Sequence, residues 1–96
     1  MAEAAVWLND MGCTPADLKH WLHYIAADTV RYSDYGAVVP LPGGAAVIQW
    51  QKKPPRVIAL MSMPVTQVGI SFNGVAVSER ARFIKQFEDV TRRGGG

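Results

Sequence analysis

The chain has 96 residues, 49% of them hydrophobic and only 19% charged, with one cysteine and a net charge of +2, which is enough for one hydrophobic core and too little for two. An intramolecular disulfide is excluded, and no apolar run reaches the roughly 18 residues that a membrane-spanning helix needs. The charge is divided: residues 1–30 hold Glu3, Asp10, Asp17 and Asp28 against Lys19 alone, a net −3, so the other 66 residues hold +5.

Further expectations follow from the same counts. A lone Cys13 fits a reducing compartment, and no basic segment followed by an apolar run opens the chain, so a cytoplasmic protein is expected. A charged fraction below the usual quarter leaves room for an adhesive apolar patch. One domain over residues 1–93 is expected, with Gly94, Gly95 and Gly96 as a frayed tail.

In chain order, Ala4, Trp7, Leu8 and Met11 fall at i, i+3, i+4 and i+7, which predicts a short helix closed by Gly12. A second helix starts at Thr14, whose hydroxyl can accept from free backbone N–H groups, with Pro15 in the first turn and Asp17 at the positive end of the dipole. Its inward stripe is Leu18, Trp21, Leu22, Ile25 and Thr29, and Lys19, His20, His23 and Ala27 point outward. Pro40, Pro42, Pro54, Pro55 and Pro64 then exclude helix across most of residues 36–66.

Ala46, Ile48 and Trp50 alternate with Val47, Gln49 and Gln51 as in a strand buried on one face. Val57 to Met63 is apolar at nearly every position and reads as the central strand. Val68, Ile70 and Phe72 alternate with Gln67, Gly69 and Ser71, Asn73-Gly74 suits a two-residue hairpin turn, and Val75 to Val77 pairs back briefly. Ser78 caps a last helix with Phe83, Ile84, Phe87 and Val90 as its buried stripe, and with Glu88/Arg92 and Asp89/Arg93 as i, i+4 pairs. The fold class is a small single α+β domain with two N-terminal helices, an antiparallel sheet of three to four strands, and a C-terminal helix packed on the sheet.

Four features bear on function. The stretch from Trp7 to Trp21 resembles the helix-turn-helix family: apolar Trp7 and Met11, Gly12 at the turn, Cys13 and Thr14 after it, then apolar Leu18 and Trp21. It departs from the family at Leu8, where a small residue is usual. The resemblance implies that Thr14, Pro15, Ala16, Lys19, His20 and His23 face DNA, yet only Lys19 is cationic, and phosphate neutralisation dominates DNA affinity. His20 and His23 with Asp17 make too thin a set for zinc, which takes three or four protein ligands, so no metal and no cofactor is expected.

Cys13 just before a helix is open to activation by the dipole, but His20 lies about 10 Å along the same rigid helix, so a buried hydrophobe is the plainer reading. No Gly-x-Ser-x-Gly elbow and no phosphate-binding Gly-rich loop occurs, which argues against catalysis. The basic residues are Lys52, Lys53 and Arg56, read as a loop, and Arg80, Arg82, Lys85, Arg92 and Arg93 on the last helix, where Arg82 and Lys85 share a side with Gln86, and they form one positive face if the loop lies near that helix.

The pattern points to a non-enzymatic protein-binding module, such as a small accessory subunit or an inhibitor of a larger complex. Its contacts are Tyr32, Tyr35, Lys52, Lys53 and Arg56, which join aromatic area to polar handles. The alternative is nucleic-acid binding through Lys19, His20, His23, Lys52, Lys53, Arg56, Arg82 and Lys85. A homodimer satisfies the same surplus of apolar surface, and no membrane partner is expected.

Overall fold

The computed structural model describes residues 5–95, with side chains described through residue 92. Five strands, β1 (Trp7–Met11), β2 (Arg31–Ser33), β3 (Gly36–Leu41), β4 (Gly44–Ile58) and β5 (Met61–Asn73), form one antiparallel sheet in the order β1-β5-β4-β3-β2. Two helices, α1 (Pro15–Ala26) and α2 (Val77–Gly95), complete a small α+β domain. No helix among the described residues is long and apolar enough to cross a membrane.

The strand order explains where α1 lies. β1 and β2 are opposite edges of the sheet, so the chain between them must cross four strand spacings, roughly 19 Å. A helix of 12 residues spans about 18 Å and does this in one pass. Its start is fixed by a reciprocal capping box: the Asp17 amide donates to the Thr14 hydroxyl (3.2 Å), and the Thr14 amide donates to the Asp17 carboxylate (3.0 Å). Leu18, Trp21 and Leu22 face inward as expected, but the helix ends at Ala26 and Thr29 sits exposed in a 3-10 turn, its hydroxyl donating to the Ala26 carbonyl (2.6 Å).

Both helices cover the same face. Leu18 and Leu22 of α1 and Phe83 and Phe87 of α2 share one cluster with the alternating Ile48, Trp50, Val68, Ile70 and Phe72 of the sheet. Edge-to-face contacts join Phe72 to Phe83 (centroids 6.0 Å) and Trp7 to Phe87 (5.4 Å). Among the described residues, the other face of the sheet carries no helix. At the end of the sheet furthest from residues 57–62, the chains approach so closely that a Cβ on Gly44 would collide with the Asn73 carbonyl, and Gly43 (φ 84) and Gly74 (φ 71) take left-handed backbone there.

Several expectations are corrected. Trp7–Met11 is a strand, not a helix, because it pairs with Thr66–Ile70 across the sheet; only α1 lies at the N-terminal side, and no helix-turn-helix exists. The sheet has five strands rather than three or four: β1, Arg31–Ser33 and Gly36–Leu41 all pair into it, while Val57 to Met63 is divided between β4 and β5. Asn73-Gly74 leads directly into α2 instead of a hairpin, leaving Val75 buried and no strand at 75–77, and α2 begins at Val77, ahead of Ser78. Glu88 accepts from the Trp7 indole N–H (3.2 Å) in place of the expected pair with Arg92, and Lys85 pairs with Asp89 (3.1 Å). The side chain of Arg93, like Ala4 of the expected first helix, lies outside the described residues.

Candidate interaction arm

The two longest strands run past the rest of the molecule. β3 pairs with β4 only as far as Gln49, where the Trp50 amide donates to the Tyr35 carbonyl (2.9 Å). β1 pairs with β5 only as far as Thr66. Beyond these points β4 and β5 continue together as a two-stranded ribbon, through Lys53↔Val65, Arg56↔Met63 and Ile58↔Met61. The ribbon extends roughly 20 Å at the usual rise per residue, in a molecule 47 Å long and 27 Å and 22 Å across.

Sequence accounts for a ribbon that stays two strands wide. Pro54 and Pro55 sit in the bulge between Lys53 and Arg56, and Pro64 lies opposite, so both outer edges lose amide donors that a further strand would need. Its root is tied down by Thr66, whose buried hydroxyl donates to the Cys13 carbonyl (2.7 Å) at the junction of β1 and α1. Its tip turns through Ala59 and Leu60, with Ala59 at φ 54, a left-handed conformation that suits the first central residue of a type II′ turn.

The end of the arm is apolar and uncovered. Leu60 is fully exposed (103%), Val57 and Met61 are each 68% exposed, and Ile58 and Met63 are also exposed. Val57 to Met63 is therefore not a central strand. Each such side chain left in water forgoes about 1.5–3 kcal/mol of burial. Behind the tip lie Lys52, Lys53 and Arg56, on a strand rather than a loop, with no Asp or Glu anywhere in residues 51–66. None of the three cations makes an ion pair among the described residues, where the pairs are Arg82–Glu79 and Lys85–Asp89. The remainder of the chain carries seven Lys and Arg against eight Asp and Glu, so the positive charge belongs to the arm.

The other candidate residues are dispersed. Tyr35, 75% exposed, stands where β4 leaves β3, close to the arm's root. Tyr32 is turned to α1: its hydroxyl donates to the Lys19 carbonyl (3.1 Å), the Lys19 ammonium lies 5.9 Å from its ring centre, and burial pushes its pKa up. Lys19, His20 and His23 are exposed on α1. Arg82 and Lys85 are on the part of α2 that packs near Phe72, some 20 Å along β5 from Val65, and each has an acidic neighbour, at 3.9 Å and 3.1 Å. Arg82 and Lys85 therefore do not join Lys52, Lys53 and Arg56 in one positive face.

Cys13 is 1% exposed, and its thiol is pushed up to about 11, by burial first and then by the Asp17 carboxylate, with Thr66 acting in the opposite direction. At neutral pH it is a thiol without nucleophilic character. Among the described residues no three His, Cys, Asp or Glu side chains gather as a metal site. The candidate residues that sequence reasoning missed are the exposed apolar Val57, Ile58, Leu60, Met61 and Met63. Their signal was the trio Pro54, Pro55 and Pro64, which a central strand does not accommodate. In comparisons with protein-family models, curated proteins and solved structures, nothing matches this chain.

Proposed function

We propose that this protein is a non-catalytic protein-binding module, of the kind that serves as an accessory subunit or an inhibitor, and that the β4–β5 arm is its contact element. The observation that carries the reading is the order of chemistry along the arm: exposed Val57, Ile58, Leu60 and Met61 at the end, then Arg56, Lys53 and Lys52 behind. This order fits an apolar cleft with an acidic rim. Burying four such side chains yields on the order of 6–12 kcal/mol before costs, similar to the 4–15 kcal/mol lost on association, so the cations are needed to select and hold the partner.

A photo-reactive residue at Leu60 tests this in the source cell, with one at Tyr24, 76% exposed on α1, as control. The expected outcome is a protein labelled from position 60, lost in K52E/K53E/R56E. Labelling from Leu60 no stronger than from Tyr24 would contradict the reading.

Nucleic-acid binding is the second reading, favoured by the uncompensated cations of the arm. Three phosphate contacts predict a log–log salt slope of only about −3 on duplex DNA, against the six to ten contacts of strong binders. Fluorescence anisotropy across a salt series measures that slope.

A further inference from the structure

We propose that Met63 is an oxidation site, at which a hydroperoxide converts the thioether to the sulfoxide and so turns the arm's contact off. This rests on the reading of the arm as the contact element and names its regulation.

Met63 is held beside a small cavity at the base of the tip. The cavity measures about 60 Å³, and its walls include Asp10, Gly12, Arg56, Met63 and Val65. Pairing explains why these residues gather. Arg56 stands directly opposite Met63 across the ribbon, Asp10 stands opposite Gln67, and Met63, Val65 and Gln67 all alternate away from the buried Thr66 and Val68, so their side chains share the side of the sheet away from the helices. The Met63 methyl reaches back over Gly12, 3.7 Å from the place a Cβ would occupy there. Residues directly opposite each other leave their Cβ atoms roughly 5 Å apart, which brings the Arg56 guanidinium within reach of the Met63 sulfur.

That set of groups suits one reaction. A water molecule takes roughly 30 Å³ of the liquid, so the cavity admits a molecule of two oxygen atoms such as hydrogen peroxide. A sulfur lone pair bonds the near oxygen as the O–O bond breaks. The sulfur gives up two electrons, and the far oxygen receives them, takes the proton that the near oxygen releases, and leaves as water. Arg56 donates to the far oxygen, where negative charge develops, and the Asp10 carboxylate accepts from a peroxide O–H. The product is a polar S=O whose oxygen accepts from Arg56. Both halves of the contact change together: an apolar side chain gains a polar oxygen, and a cation offered to the partner is engaged within the arm. The core is untouched, because its buried hydrophobic residues all lie outside residues 51–65. Two thiols, acting through a methionine sulfoxide reductase, return the thioether and leave as a disulfide with one water.

The other methionines supply the comparison. Met61 is 68% exposed against 41% for Met63, but the residue opposite it is Ile58 rather than a cation, and Met11 packs against the core. Exposure alone would oxidise Met61 first. The cavity reverses that order.

Hydrogen peroxide at rising dose on the full chain, followed by peptide mass mapping, tests the site. Met63 is expected to gain oxygen on the order of 10-fold faster than Met61, the weight of one charge-assisted hydrogen bond in the transition state. R56Q is expected to restore the order of exposure, Met61 before Met63. The chain with the photo-reactive residue at Leu60, mixed with an extract of the source cell, tests the switch. At a dose that oxidises Met63 and spares Met61, labelling by M61L is expected to fall on the order of 10-fold below that of the same chain untreated, the weight of one buried side chain, and to return after reduction. Labelling by M63L is expected to be equal before and after treatment. Met61 oxidised first in the wild-type chain, an order that R56Q leaves unchanged, or M61L labelling that survives the Met63 sulfoxide would overturn the proposal. In the last case the function above stands and only the switch is lost; an untreated chain that labels no more from Leu60 than from Tyr24 loses the function and the switch together.

Discussion

Thr66 and Cys13 show how single residues fasten the arm to the body. The Thr66 hydroxyl, buried and 2.7 Å from the Cys13 carbonyl, joins the root of β5 to the turn that launches α1. Thr66→Val keeps the shape and strands that carbonyl, so it is expected to cost about 1–3 kcal/mol in urea denaturation. The Cys13 thiol is raised from 9.0 to about 11 in the folded state. The folded chain therefore holds this proton more tightly than the unfolded chain, and the associated stability is complete below pH 9 and lost as pH rises from 9 toward 11. Against wild type, Cys13→Ala is expected to show a deficit in stability that narrows over that window, and native Cys13 to alkylate slowly at neutral pH. The buried reading of Cys13 and the Thr14-Pro15-Asp17 cap were legible because a helix start is written in adjacent residues.

At the scale of elements, legibility followed the range of the interaction. α1 and the buried stripe of α2 repeat with the helical period and could be read directly, as could the alternation in β4 and β5. β1 could not: Trp7, Leu8 and Met11 satisfy a helical spacing, and what makes them a strand is a partner some sixty residues away, Trp7↔Ile70. Val57 to Met63 failed for a different reason. A strand covered on both sides and an arm covered on neither can share one composition, and the turn at Ala59-Leu60 carries no Gly, Asn or Pro to announce it. The arm adds nothing to the core, whose buried hydrophobic residues all lie outside residues 51–65. Replacing residues 53–65 by Asn-Gly, so that Lys52 and Thr66 flank a two-residue turn, is therefore expected to change stability by less than about 1 kcal/mol, a few degrees in Tm.

For the whole molecule, the charge divide seen along the sequence is redistributed by the fold. Outside the arm, seven Lys and Arg stand against eight Asp and Glu, five of those cations being on α2, so the body is near-neutral as a whole, and the arm adds three cations and no carboxylate. This separation predicts that salt weakens any arm-mediated contact while leaving the melting temperature nearly constant, because the arm's cations have no ion pair among the described residues to lose. Calorimetry and binding across one salt series measure both quantities.

The arm-deleted chain provides the most direct measurement: its affinity for the protein labelled through Leu60, compared with that of the full chain after circular dichroism has shown both to be folded. The account predicts a fall of at least about 100-fold, the weight of two buried side chains. A folded arm-deleted chain that binds as tightly as the full chain would contradict it.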